Sequence, residues 1–200
     1  MTGTVIKSFA APSLEPRHLV FDGRYLWLCD TNTNLIYQLD RMGKVIKSFA
    51  TPSINPTGLT FDGKYLWLCD YNTDLIYQLD RMGKVIKSFA TPSVTPSGLA
   101  FDGTYLWLCD TFTDRIYQLD RMGKVIKSFA TPSLNPTGLT FDGKYLWICD
   151  LTPDLIYQLD RTGKVIKSFA TPSITPTGLT FDGKYLWHCD FNTDRIYQLA

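Results

Sequence analysis

A period of 40 residues constrains this chain more than any other feature. Lys44-Val45-Ile46-Lys47-Ser48-Phe49-Ala50 returns unchanged at 84, 124 and 164. Phe61-Asp62-Gly63-Lys64-Tyr65-Leu66-Trp67 returns, with at most one change, at 21, 101, 141 and 181. Five such units account for all 200 residues. Repetition at this length means one supersecondary unit that buries its faces against copies of itself. No stretch has helical periodicity. Each unit instead holds four short apolar segments bounded by turn residues, the pattern of an all-β array.

In the second unit these segments are Gly58–Phe61, Tyr65–Cys69, Leu75–Leu79 and Lys84–Phe89, named A to D from inside outward. Asp62-Gly63 between A and B, and Met82-Gly83 between C and D, are hairpin signals, because glycine adopts the positive φ of tight turns without strain. Pro92 and Pro96 flank a longer crossing to the next unit and argue against ladder strands there. Segment B places Tyr65, Trp67 and Cys69 on one face and Leu66 and Leu68 on the other. A sheet that is apolar on both faces needs a neighbour on each side, and radial stacking of four-stranded blades provides it. Lys84 and Lys87 in D suit an exposed edge that must not recruit other chains.

The ends of the chain suggest how the array closes. Units 11–50, 51–90, 91–130 and 131–170 are whole, whereas 171–200 holds only A, B and C. The missing D is present as Thr4-Val5-Ile6-Lys7-Ser8-Phe9, so residues 1–10 complete the fifth blade. The expectation is one domain over residues 1–200: a five-bladed β-propeller with four antiparallel strands per blade, closed by its N-terminal strand as a monomeric ring.

Composition excludes several classes. A hydrophobic share of 44% with 20% charged residues is that of a globular chain, not a disordered one. A net charge of +1 gives no reason to expect nucleic acid or an acidic membrane surface as partner. No apolar run approaches the roughly 20 residues of a membrane span, and the N-terminus has no signal-peptide core. Cys29, Cys69, Cys109, Cys149 and Cys189 occupy one position of the repeat. Equivalent atoms of stacked sheets lie about 10 Å apart, beyond the reach of a disulfide. Five free, buried thiols and a reducing, cytoplasmic compartment follow, unless a leader has been removed.

The string Pro56-Thr57-Gly58-Leu59-Thr60-Phe61-Asp62-Gly63-Lys64-Tyr65-Leu66-Trp67-Leu68-Cys69-Asp70, followed by Ile76-Tyr77-Gln78-Leu79-Asp80 and Gly83, resembles the NHL repeat. It is also similar to the streptogramin-lyase-like repeat. The resemblance implies a propeller over the whole chain. It implies either an interaction or RNA-binding module, as in NHL propellers, or a lyase that opens cyclic lactone antibiotics by elimination using His and Glu on the top face. Both families usually have six or seven units, not five. Near-identity of the units is the mark of a designed or recently amplified array.

Differences between units cluster in the D–A crossings and B–C loops, which share the top face of a propeller. Exposed loops tolerate drift, but aromatic and arginine side chains there are also the types that dominate binding hot spots. Tyr71, Phe112, Phe191, Arg115 and Arg195 are candidates of this kind. The first unit departs most, with Glu15, Arg17 and His18 where others have Asn or Thr, Thr or Ser, and Gly. His188 replaces Leu or Ile in B of the last unit. Glu15, Arg17, His18 and His188 therefore suggest one polar pocket at the seam between blades one and five. Proton abstraction needs a positioned base of suitable pKa, so a lyase-type reading would rest on His18, His188 and Glu15. Terminal repeats are often atypical for packing reasons alone, and His188 sits where its counterparts are buried leucines. The favoured expectation is a non-enzymatic scaffold that binds a small polar ligand or a protein at the top face or channel mouth, with no cofactor. Asp30, Asp70, Asp110, Asp150 and Asp190 end B in every unit. Asp70-Tyr71-Asn72-Thr73-Asp74 resembles the start of a calcium loop but lacks its glycine and distal glutamate. An Asx-type cap needs no metal, and none is expected.

Overall fold

A computed structural model describes residues 1–200. It contains five sheets of four antiparallel strands and no helix. In blade two the strands are Pro56–Phe61, Leu66–Asp70, Leu75–Leu79 and Val85–Ala90, paired in the order A-B-C-D. The other blades repeat these positions every 40 residues. Blade five takes its outermost strand from the N-terminus. Val5–Ala10 pairs antiparallel with Arg195–Leu199, from Val5 opposite Leu199 to Ala10 opposite Arg195. The ring is closed by a noncovalent clasp, as the chain ends imply.

One expectation about proline is corrected. Pro96 and its equivalents do not lie outside the ladder but open strand A, opposite the aspartate that ends strand B. The first residue of an inner edge strand has no ladder partner for its nitrogen, so proline is tolerated. A register shift directly after it, between Pro96 and Gly98, absorbs the irregularity.

Packing between blades follows the alternation in B. Trp67, Cys69 and Ile76 face the next blade, where Leu99, Leu106, Leu108 and Leu119 receive them. Leu59, Leu66, Leu68, Tyr77 and Leu79 face the preceding blade and meet Trp27, Cys29 and Ile36. Every strand B is buried throughout. Each tryptophan also contacts a strand D phenylalanine at ring-centroid distances of 6.0–6.1 Å.

Blades converge at the axis more tightly than a uniform spacing of about 10 Å allows. A Cβ built on Gly138 would stand 2.8 Å from Gly178 Cα, and one on Gly178 would stand 2.6 Å from His18 Cα. Four of the five blades have glycine at this level, where adjacent inner strands approach backbone to backbone. The five thiols are free and buried. Burial pushes Cys69, Cys109 and Cys189 up to about 12, so they remain protonated.

The bottom hairpins are locked by their aspartates. Asp62 accepts N–H bonds from Lys64 and Tyr65 through Oδ1, and from Trp67 Nε1 through Oδ2. Arg121 of the following blade lies 3.5 Å from Asp62 Oδ2 and stacks on Phe101. The same pairing recurs for Arg81, Arg161 and Arg41 with Asp22, Asp102 and Asp182.

Candidate functional site

The top mouth of the channel is a ring of five equivalent side chains: Arg17, Thr57, Ser97, Thr137 and Thr177. They enclose a cavity of about 70 Å³. That holds a few waters or a ligand head of similar size. Four of the ring members are committed to the scaffold. Thr57, Ser97, Thr137 and Thr177 each donate a hydroxyl proton to the proline carbonyl that opens strand A of the next blade, at 2.6–2.7 Å. Each also lies 3.3–3.5 Å from the cysteine sulfur of its own blade. These hydroxyls tie neighbouring blades together and offer no free proton to a ligand.

Arg17 breaks the ring. Its Nε donates to Thr31 Oγ1 at 3.0 Å, and Thr31 Oγ1 in turn donates to Glu15 Oε2 at 2.7 Å. The guanidinium carbon lies 4.7 Å from the centroid of the Phe191 ring. Blade one thus supplies the cation and blade five the aromatic platform, so the seam orients one arginine. Its terminal amino groups make no hydrogen bond within the protein. A stacked guanidinium with free N–H groups is preorganised for a planar oxyanion. The seam also carries negative charge. Burial, together with Asp30, Asp190 and Glu15, raises the pKa of the Asp194 carboxyl.

His18 sits one residue farther along strand A, where the other blades have glycine. It is fully buried. Its imidazole crosses the axis to blade four, where the Leu139 amide donates to Nε2 at 3.2 Å. A single side chain therefore plugs the channel, and the glycine ring leaves no room for a second. Nδ1 has no partner. Burial lowers the pKa to about 4, opposed only in part by backbone groups such as Leu19. A protonated Nε2 would lose the Leu139 bond, so the arrangement belongs to the neutral ring.

His188 is elsewhere. It pairs with Leu179 on one side and Tyr197 on the other, and stacks on Tyr197 with centroids 5.9 Å apart. Leu179, Leu186 and Tyr197 face Trp147, Cys149 and Ile156 of blade four, so His188 lies in the interface between blades four and five. Of the shared pocket that the sequence suggested at the seam, only Glu15 and Arg17 meet; His18 and His188 do not, and His188 takes the buried place of its leucine counterparts. The physical reason is strand alternation, which turns the strand B position of His188 toward the preceding blade. Both ring nitrogens lack a hydrogen-bond partner, and burial lowers the pKa to about 4. Neither histidine reaches solvent, and neither is basic enough to take a proton near neutrality.

The remaining candidates separate into two groups. Arg115 and Arg195 are pinned to strand D, donating to Ser128 Oγ and Ser8 Oγ at 2.8–3.2 Å. Tyr71 and Phe112 are free, and Phe112 is 72% exposed. The aspartates ending strand B cap their loops. Asp70 Oδ1 accepts from Asn72 N, Thr73 N and Thr73 Oγ1, and Oδ2 accepts from Asn55 N. Blade four departs from this pattern twice. Pro153 stands where the other blades have threonine, so Asp150 Oδ1 keeps only the Thr152 amide. Asn135, at a φ of 64°, turns its backbone amide to Asp114 Oδ1, so Asp150 Oδ2 is left without a partner. Sequence reasoning missed both this weakness and the plugging of the axis. The signals were present: a proline within an Asx loop, and four glycines aligned with one histidine.

Neither a protein-family model nor a curated protein sequence matches the chain. Solved structures do. A glutaminyl cyclase from Myxococcus xanthus superposes with a TM-score of 0.85 at 13% identity, covering 98% of this chain and 95% of that one. A streptogramin B lyase gives 0.61 at 17% identity, with 97% and 87% covered. The WD40 β-propeller domain of Doa1 gives 0.61 at 12% identity, with 91% and 62% covered. These likenesses concern the fold. They extend over enzymes and a WD40 domain alike; this chain is a β-propeller, of five blades with internally repeated units.

Proposed function

We propose that the protein is a non-catalytic binding scaffold that takes a small polar ligand at the top channel mouth. The observation that carries this reading is Arg17, held between Thr31 and Phe191 with its terminal N–H groups free at the rim of the cavity. A carboxylate on the ligand would accept two parallel hydrogen bonds there. Glu15 and Asp194 at the same seam disfavour a bare anion and suit a ligand that also carries a cationic group. An amino acid or short peptide has that combination. The lyase-type alternative on His18, His188 and Glu15 lacks an accessible imidazole. The cyclase and lyase among the structural neighbours support it only through their fold.

Titration with glycine, glutamate, acetate and methylamine, followed by NMR shifts of the Arg17 side chain, tests the proposal. Binding should favour the zwitterions and vanish in Arg17→Thr, which restores the hydroxyl of the other blades without loss of stability. Turnover of a streptogramin B or of a peptide with N-terminal glutamine, abolished by His18→Gly, would defeat it.

A further inference from the structure

The net charge of +1 conceals a strong separation of charge between the two faces. Of 19 carboxylates, ten are on the top: the five that end strand B, Asp74, Asp114, Asp154, Asp194 and Glu15. Of 20 lysines and arginines, only Arg17, Arg115 and Arg195 are there. The other seventeen cations and nine carboxylates belong to the bottom turns and the lower halves of the D strands. The strand D lysines also reach downward: Lys47 Nζ donates to Arg81 O in the bottom turn of the next blade at 2.7 Å. The top therefore carries about seven net negative charges and the bottom about eight positive ones.

Each face also carries exposed apolar side chains with the period of the ring. On the top these are Leu14, Ile54, Val94, Leu134 and Ile174, 54–67% exposed. On the bottom, Met42, Met82 and Met122 occupy the outer turn of blades one to three, 72–73% exposed, and Thr162 takes the place in blade four. The two faces thus share one pseudo-five-fold axis and carry opposite charge, with an apolar ring on the top and an apolar arc over three blades on the bottom.

We infer that the acidic top of one copy docks on the basic bottom of another. The occupant is a second copy of this chain, whose bottom supplies a surface of matching pentagonal repeat and opposite sign. The contact is heterologous, and stacking along a shared axis does not close. Each added copy leaves one free top and one free bottom, so the product is a column, not a dimer. Ring repetition allows five nearly equivalent registers. A specific interface removes about 800 Å² per partner, a tenth of the 8176 Å² surface. At contact the faces are closer than the screening length of about 10 Å in 0.1 M salt, so association depends on ionic strength.

Sedimentation velocity on the full chain, over a concentration series at low and at about 0.5 M salt, tests this. At low salt the mass should climb past the dimer without a plateau. At high salt it should return to 22.7 kDa. The variant carrying D74N, D114N, D154N and D194N removes four top charges. Asn34 already occupies the equivalent left-handed position, with φ 55° against 50–60° for the aspartates. If each carboxylate contributes as an exposed ion pair does, association should weaken roughly tenfold or more, with the thermal melt unchanged. Replacing Lys44, Lys84, Lys124 and Lys164 by Gln should act alike from the other face. A monomer at every concentration in low salt overturns the inference. So does a closed dimer, or association indifferent to salt and to both variants. Recruitment of the monomer to phosphatidylserine vesicles without stacking would assign the basic face to a membrane instead.

Discussion

The bottom hairpins and the top corners are built from the same repeat, yet one set is uniform and the other is not. In the bottom turn every polar group of the aspartate is used: two backbone amides, the indole N–H and an arginine from the next blade. Any substitution there leaves a buried donor unpaired, so the turns hardly differ. At the top, strand B aspartates hold the loops through backbone N–H groups that many residue types supply. Side chains at 71, 112, 151 and 191 therefore vary without cost to the fold. Function has room where the scaffold does not consume the side chain.

The bottom has one flaw, and it gives the largest expected effect. The outer hairpin of blade five is split between the chain ends, with Ala200 N donating to Thr4 O at 2.9 Å as Asp40 N does to Lys44 O at 3.0 Å in blade one. Deleting residues 1–10 strips strand D from blade five and removes Phe9 from Trp187. The loss should exceed about 5 kcal/mol and take most of a domain's stability. A truncated chain that melts with the intact one in circular dichroism would falsify the clasp.

Next come the two buried histidines, neither of which lies in either set of turns. Each has its pKa lowered to about 4 from 6.5. The folded value is below the unfolded one, so the unfolded chain binds more protons in between. Stability should therefore be lost as pH falls from 6.5 toward 4, by about 3 kcal/mol for each histidine. His18→Gly with His188→Leu, which restores the repeat, should flatten the melting temperature over this window. An unchanged pH profile in the double variant would place the titration elsewhere.

Asp62→Ala sharpens the contrast between the faces directly. It orphans the Trp67 indole and two amides and should cost about 2–4 kcal/mol, measured by chemical denaturation. Tyr71→Thr on the top should stay within about 0.5 kcal/mol. Equal costs would remove the distinction.

The smallest effect repairs the weakest top corner. Pro153→Thr returns an amide and a hydroxyl to Asp150, as Thr113 provides to Asp110. Two hydrogen bonds gained, less the rigidity that proline confers on the unfolded chain, should stabilise by about 1 kcal/mol. Burial now holds the Asp150 carboxyl above its usual value, and the variant should bring it down in an NMR titration.

Much of this molecule was legible without coordinates. The 40-residue period, Asp-Gly turns and two-faced apolar strands specify blades, because hairpin geometry and side-chain alternation are local properties of the chain. The displaced strand at residues 4–9 specified ring closure by simple counting. What needed the tertiary structure was every relation across the axis and between blades. His18 and His188 look alike in sequence, as two histidines at the seam units. Only the convergence of five inner strands makes one of them a plug reaching Leu139, and only the handed stacking of blades turns the other toward blade four. The preorganisation of Arg17 likewise depends on Phe191, 174 positions away in the chain. The charge of each face emerged only when turns were assigned to top and bottom, since a net charge sums over direction while a surface does not.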